Sequence, residues 1–141
     1  MIDTASAKPQ PRPTRDSAPF WEGLAAGELR LQRCKPCGAL QHPPGPVCRE
    51  CWSDVIEWTT AGGAGTIYSY TVVHRTTTPG FAADTPYIVA IVALAVGPRM
   101  TTNIVDCAID SVRIGMPVRA VFDTSGPSAL LKFAPTLEKD R

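Results

Sequence analysis

Apolar and polar residues follow a β-type pattern through the second half of the chain. Segment 66–74 is rich in β-branched and aromatic residues, and 87–96 is a near-continuous apolar run of strand length. Segment 117–122 alternates by side chain, and segments 99–105 and 129–133 are two further candidate strands. Five strands within about 80 residues fit a small closed barrel, for which the five-stranded OB-fold is the leading candidate.

The pattern changes to helical spacing nearer the start of the chain. Phe20, Trp21 and Leu24 share one apolar stripe, and Ser17 can cap the first turn, which predicts a helical segment over 18–29. The two aromatic side chains either pack on the chain's own body or dock on another subunit. The sequence leaves both interpretations open.

These patterns divide a chain whose predicted class is mainly β. Residues 1–17 carry three prolines among polar and charged residues, which predicts a flexible leader. The helical segment 18–29 is followed by a cysteine-rich part, 30–58, and then by the barrel, 59–137. The last residues, 138–141, are expected to fray.

Four cysteines form two C-x-x-C pairs with ten residues between them, namely Cys34, Cys37, Cys48 and Cys51. This spacing lets two short turns, or knuckles, close on one tetrahedral ion and predicts a zinc ribbon. Four thiolates favour one Zn²⁺, with iron as the competitor, and they leave no position for a substrate, so the metal is expected to be structural. Two disulfides or a redox pair are the alternative, which a reducing compartment disfavours.

Residues around the pairs refine this prediction. Gly38 follows the first pair and suits a backbone that folds back over the sulfurs, whereas Trp52 follows the second pair and predicts a less relaxed turn. His42 lies between the pairs and is a candidate fifth ligand, although a loop role is favoured. Cys107 stands in an apolar context and is predicted to be a buried or half-buried thiol.

The balance of charges argues against proteins that bind membranes or nucleic acids. The chain has 14 basic and 13 acidic residues, with no run of roughly 20 apolar residues and no signal-peptide pattern at its start. We therefore expect a cytoplasmic protein that binds neither membrane nor nucleic acid. Residues 52–141 hold seven basic and eight acidic residues, so an OB-fold binder of nucleic acid remains only as the alternative hypothesis.

No catalytic motif stands out in the sequence. His74 follows a predicted strand, and Thr76 and Asp84 lie in the loop after it, so a nucleophile and base can be imagined there. A polar hairpin loop is the simpler interpretation. A stand-alone enzyme acting through His74 is therefore the third hypothesis.

Several motifs carry a family resemblance. In chain order they are Phe20-Trp21-Glu22-Gly23-Leu24, Cys34-x-x-Cys37-Gly38, Cys48-x-x-Cys51, Gly63-x-Gly65-Thr66-Ile67-Tyr68-Ser69-Tyr70, Pro86-Tyr87-Ile88-Val89-Ala90 and Phe133-Ala134-Pro135. With these, the chain resembles the acyl-CoA-associated zinc-ribbon/OB-fold family, formerly a domain of unknown function, over residues 18–136. The departures are Trp52, where the family usually has glycine, and the long leader.

The resemblance implies an N-terminal helical segment, a rubredoxin-like zinc ribbon and an OB barrel. It also implies a non-catalytic partner of thiolase-superfamily enzymes, either thiolases or the thiolase-like aldolases of steroid side-chain or fatty-acyl breakdown. Such a partner sits in a hetero-oligomer and helps to form the acyl-CoA site, while the other chain carries the catalytic residues.

On this hypothesis, the helix and the exposed barrel loops supply the contacts with CoA or with the partner. Arginine is favoured because a guanidinium matches the geometry of phosphate oxygens. Solvated charges at strand ends are the alternative interpretation. The candidate contact residues are Phe20, Trp21, Arg75, Phe81 and Arg99.

Overall fold

A closed five-stranded barrel forms the second half of the protein in the computed structural model, which describes residues 8–136. Its strands are β4 (Ala64–Val73), β5 (Tyr87–Leu94), β6 (Arg99–Ile104), β7 (Pro117–Asp123) and β8 (Leu130–Pro135). The order around the barrel is β4-β5-β6-β8-β7, and only the β6–β8 contact is parallel. The predicted mainly-β class and five-stranded OB barrel are confirmed.

The cysteine-rich part forms a separate sheet with the order β2-β1-β3. Its strands are β1 (Leu29–Cys34), β2 (Leu40–Gln41) and β3 (Ile56–Ala61), all antiparallel. Strand β3 crosses the predicted division at residues 58 and 59, and β4 begins at Ala64, inside the glycine-rich entry segment. The ribbon sheet therefore runs almost directly into the barrel.

The helix α1 (Ala18–Ala25) is shorter than the predicted 18–29. It ends early because Gly27 adopts a φ of 77°, which L side chains rarely adopt, and the chain then turns into β1. Ser17 does not cap the helix with its side chain. Its hydroxyl instead accepts a hydrogen bond of 2.8 Å from the backbone N–H of Thr14.

One hydrophobic core joins the helix, the ribbon and the barrel. Leu24 of α1 and Leu31 of β1 are fully buried in the same cluster as Val92 and Phe133 of the barrel. Cys107 packs against this cluster half-buried. Because the core is continuous, the two sheets are packed as one unit.

A register shift in β4 separates two tyrosines that a regular strand would place on one face. The shift lies between Ile67 and Ser69. Tyr68 then lies beneath Arg99, with the guanidinium carbon 3.9 Å from the ring centre, while the Tyr70 hydroxyl donates a 3.1 Å hydrogen bond to the carbonyl of Val112. The hydrogen bond ties Tyr70 into the fold, whereas Tyr68 stays about half exposed.

Candidate metal centre and adjoining groove

The four cysteines of the two pairs converge at one point. Their sulfur atoms all lie within 4.8 Å of one another. The Cys34–Cys51 and Cys37–Cys48 sulfur distances are 3.5 and 3.6 Å, too long for disulfides and close to the spacing of about 3.8 Å that Zn–S bonds of about 2.3 Å give in a tetrahedron. The residues therefore fit a structural metal site.

The two knuckles share one backbone geometry. In the first, Gly38 donates a 2.8 Å hydrogen bond to the carbonyl of Cys34; in the second, Trp52 donates one of the same length to the carbonyl of Cys48. Both residues have positive φ, 77° for Gly38 and 67° for Trp52. The sequence predicts a less relaxed second turn, and the structure shows a tryptophan there in a backbone conformation that usually requires glycine.

The electrostatics of the thiol cluster favour a bound cation. The backbone N–H of Cys37 lowers the pKa of Cys34, but burial and the neighbouring thiols outweigh it and raise that pKa to about 12. The backbone N–H of Cys51 lowers the pKa of Cys48 to about 7. Thiolates this close repel one another, so a central divalent cation is what allows all four to ionise.

Two glutamines support the knuckles, and the sequence analysis missed both. The buried Gln32 donates to the carbonyl of Gly45 at 3.0 Å and accepts from the N–H of Gly45 at 2.9 Å and from Gln41 at 2.8 Å. Gln41 in turn accepts from the N–H of Arg49 at 3.0 Å. Three of the six residues of β1 are polar or charged, so the sequence does not mark Gln32 as the one that turns inward.

His42 lies in the loop between the knuckles and outside the cluster of sulfurs. Its ring packs against that of Phe20 with a centroid distance of 4.9 Å and an angle of 44° between the planes. Burial, with a smaller contribution from the positive charge of Arg49, lowers the pKa of His42 to about 4. A neutral imidazole therefore joins the ribbon loop to α1.

An apolar cleft of about 390 Å³ opens between α1, the loop 42–44 and strands β6 and β8. A second cavity of about 440 Å³, beside Tyr68 and Arg99, shares four lining residues with it. A third, of about 820 Å³, shares residues 101–103 with the first and extends to residue 105. Together they form one groove along residues 99–105, which we call the β6 groove.

Four of the five candidate contact residues line the β6 groove. Phe20 is buried at 6% exposure and Trp21 packs edge-on against it, so both rings serve the chain's own core while also forming a wall of the cleft. Arg99 lies at one end of the groove, and Phe81 lines the other end beside Tyr87.

Arg75 stands apart from Arg99. Strand pairing places Arg99 beside Ala93, whereas Arg75 follows Val73 at the opposite end of β4. Strands rise about 3.3 Å per residue, so the two guanidinium groups belong to barrel ends roughly 20 Å apart. One phosphate cannot contact both.

Part of the leader lies against the barrel. Lys8 pairs with Asp84 at 2.6 Å and lies 5.6 Å from the ring centre of Phe81. Pro9 and Pro11 line the same end of the groove. Three residues of the predicted flexible leader, Lys8, Pro9 and Pro11, thus lie against the barrel, where they meet a charge partner and an aromatic ring. Residues 1–7 and the tail prediction fall outside the described residues.

Two of the three residues considered for catalysis are engaged in other contacts. Asp84 pairs with Lys8, and the hydroxyl of Thr76 accepts a hydrogen bond from the N–H of Thr78 at 3.1 Å, while His74 is exposed.

Within residues 8–136, no helix has the length and apolarity needed to cross a membrane.

Comparison with known proteins identifies a family for the zinc ribbon and for the barrel. Residues 21–57 match the family model of the ChsH2 rubredoxin-like zinc ribbon domain, and residues 58–123 match that of the ChsH2 C-terminal OB-fold domain. A solved structure named "Ltp2-ChsH2(DUF35) aldolase" is similar, with 40% identity and a TM-score of 0.83, covering 91% of this chain and 100% of that chain.

Two curated relatives extend the comparison. The "Probable enoyl-CoA hydratase alpha subunit" of Thermomonospora curvata is 44% identical over 113 residues, which are 79% of this chain and 34% of that protein. The "3-oxo-4,17-pregnadiene-20-carboxyl-CoA hydratase alpha subunit" of Mycobacterium tuberculosis is 39% identical over 113 residues, 80% of this chain and 35% of that protein. The chain therefore spans about a third of the length of these relatives. Taken with the zinc-ribbon and barrel geometry, these matches show that the chain belongs to the DUF35 family of ChsH2-type zinc-ribbon/OB-fold proteins.

Proposed function

We propose that the chain is a non-catalytic accessory subunit that binds a thiolase-superfamily enzyme and helps to form its acyl-CoA site. The observation that carries this proposal is the similarity to the Ltp2-ChsH2(DUF35) aldolase structure. At 40% identity, the match covers the whole of the chain in that structure. The CoA substrates in the names of both hydratase relatives support an acyl-CoA thioester, and one of those names is that of a steroid thioester.

The β6 groove is the surface that we assign to the CoA thioester. Aromatic rings and prolines give its central cleft a mainly apolar surface, and hydroxyl, amide and charged side chains line the rest of the groove, a combination that suits a small-molecule ligand. Arg99 is stacked on Tyr68 at the rim, which pre-orients its guanidinium for a phosphate or an adenine ring. The two lysines that line the groove are already paired, Lys132 with Asp123 at 2.7 Å and Lys8 with Asp84 at 2.6 Å.

In this proposal the metal is one Zn²⁺ with a purely structural role. Four thiolates complete its tetrahedral shell, so no position is left for a substrate. The ion instead holds the knuckles rigid beside the groove, and a reducing, cytoplasmic setting keeps the thiols free to bind it.

Co-expression with a candidate thiolase-like enzyme from the same genome tests the proposal. We expect a stable hetero-oligomer by size-exclusion chromatography with light scattering, and faster turnover of a 3-oxoacyl-CoA by the enzyme when the chain is present. A chain that stays separate, together with an enzyme that is fully active alone, would rule the proposal out.

A further inference from the structure

Trp52 is an exposed tryptophan at the tip of the second knuckle. Its side chain is 77% exposed, the highest value among the large apolar side chains of the described residues. The other two tryptophans, Trp21 and Trp58, pack against the core. Trp52 is thus the one that the fold itself does not use.

The backbone conformation at Trp52 is also unfavourable for a residue that has a side chain. At the equivalent position of the first knuckle, Gly38 adopts positive φ without strain, whereas Trp52 holds a φ of 67° with a large side chain. Residues with a side chain rarely adopt this conformation, so the backbone at Trp52 is strained. The hydrogen bond to the carbonyl of Cys48 comes from the backbone N–H, so glycine would preserve it. Neither metal binding nor folding requires the indole.

From this uncompensated strain we infer that Trp52 is the anchor by which the zinc ribbon docks into an apolar pocket on the partner enzyme. The inference rests on the proposed function, since the partner is the thiolase-like enzyme. Tryptophan is among the residues most enriched at the energetic centres of protein interfaces, where it fills a pocket. A knuckle fixed by a metal presents it with little conformational entropy left to lose.

The charges around Trp52 favour a protein partner over a membrane or a polyanion. Lys35 and Arg49 are balanced by Glu50 and Asp54, and all four are exposed. A mixed-charge rim around an aromatic centre is the usual anatomy of a protein interface. Anionic lipid or nucleic acid would instead require an excess of positive charge.

The test compares Trp52→Gly with the unchanged chain in binding to the purified thiolase-like enzyme by isothermal titration calorimetry. Because glycine accepts positive φ, we expect zinc content to be unchanged and the melting temperature to be equal or higher. We expect the Kd to rise at least tenfold, since interface anchors of this type carry 2 kcal/mol or more. Ile114→Ser is the matched control, because Ile114 is 67% exposed but lies on the barrel side, and less than a twofold change is expected.

The outcomes separate the two proposals. If the unchanged chain does not bind the enzyme, the proposed function fails. If it binds and Trp52→Gly binds equally well, the function stands and the Trp52 inference is overturned. A Trp52-dependent dimer in light scattering, or Trp52-dependent sedimentation with phosphatidylglycerol vesicles, would also overturn it.

A second measurement keeps the inference testable if the variant folds poorly. Hydroxyl-radical footprinting of the unchanged chain, read by mass spectrometry, should show Trp52 protected severalfold in the complex and reactive in the free chain. Equal reactivity in both states would contradict the inference.

Discussion

The imidazole of His42 packs against the phenyl ring of Phe20 at a centroid distance of 4.9 Å and a tilt of 44°, which joins the loop between the knuckles to the helix α1. Both rings also line the cleft of the β6 groove. This contact links the zinc ribbon to the groove. It also places a titratable group where its charge matters for stability.

Acidification is expected to weaken the fold through His42. Its pKa falls from 6.5 to about 4 on folding, so between these values the unfolded chain binds a proton that the folded chain does not. Stability is therefore fully present above pH 6.5 and declines as the pH falls towards 4, by roughly 3 kcal/mol in total. His42→Phe keeps an aromatic ring in contact with Phe20 and removes the group that titrates.

Urea unfolding of both proteins at pH 7.5, 6.5 and 5.5 measures the effect. The difference between them isolates His42, because protonation of the thiols affects both proteins equally. Parallel pH curves for the two proteins would refute this role of His42.

Loss of the metal is expected to destabilise the whole chain, beyond the ribbon alone. Cys34 ends β1, and Leu29 and Leu31 of that strand belong to the core shared with the barrel. Cys34→Ser should reduce bound zinc from about one ion per chain to nearly none, and it should lower the melting temperature of helix and barrel together. Elemental analysis and circular dichroism measure both effects. Cys107→Ser is the control and should leave the zinc content unchanged; a barrel that melts normally without metal would contradict the shared core.

Gly65 is expected to be intolerant of a side chain because β4 and β5 approach closely there. A Cβ at this position would lie 2.7 Å from a methyl carbon of Val92 and 2.8 Å from the carbonyl oxygen of Ala93. We expect Gly65→Ala to lower the free energy of unfolding by about 1–3 kcal/mol. Gly62→Ala is the matched control, since no atom lies within 4 Å of its added Cβ, and it should change stability by less than about 0.5 kcal/mol. Equal effects of the two substitutions in chemical denaturation would refute the close approach.

If CoA lies in the β6 groove, replacing Arg99 and replacing Arg75 should have different effects on the affinity for CoA. Arg99→Ala in the complex with the enzyme should weaken binding of desulfo-CoA about tenfold, as expected for a charged hydrogen bond worth 1.5 kcal/mol or so. Arg75→Ala should change it less than twofold, because Arg75 lies at the opposite end of β4. Calorimetric titration of each complex gives the comparison. A larger loss with Arg75→Ala would place the phosphates at the other end of the barrel.

Some features could be predicted because their signals are local. The alternation of apolar residues reveals β7, and the short spacing within each cysteine pair brings two sulfurs towards one ion. The end of α1 could not be predicted from side chains, because it depends on the positive φ that Gly27 adopts. The register shift at Tyr68 was hidden for a similar reason, since it arises from pairing with β5 and leaves no mark in β4 itself.

The sequence by itself determined the ribbon, the five strands and the four thiol ligands, because strand periodicity and cysteine spacing act over a few residues. Only the tertiary structure decided which surfaces meet. Strand pairing set Arg75 and Arg99 at opposite barrel ends, and packing turned Phe20 inward against His42 while leaving Trp52 in solvent. Those outcomes depend on contacts between residues far apart in the chain, whose register and burial no local pattern specifies.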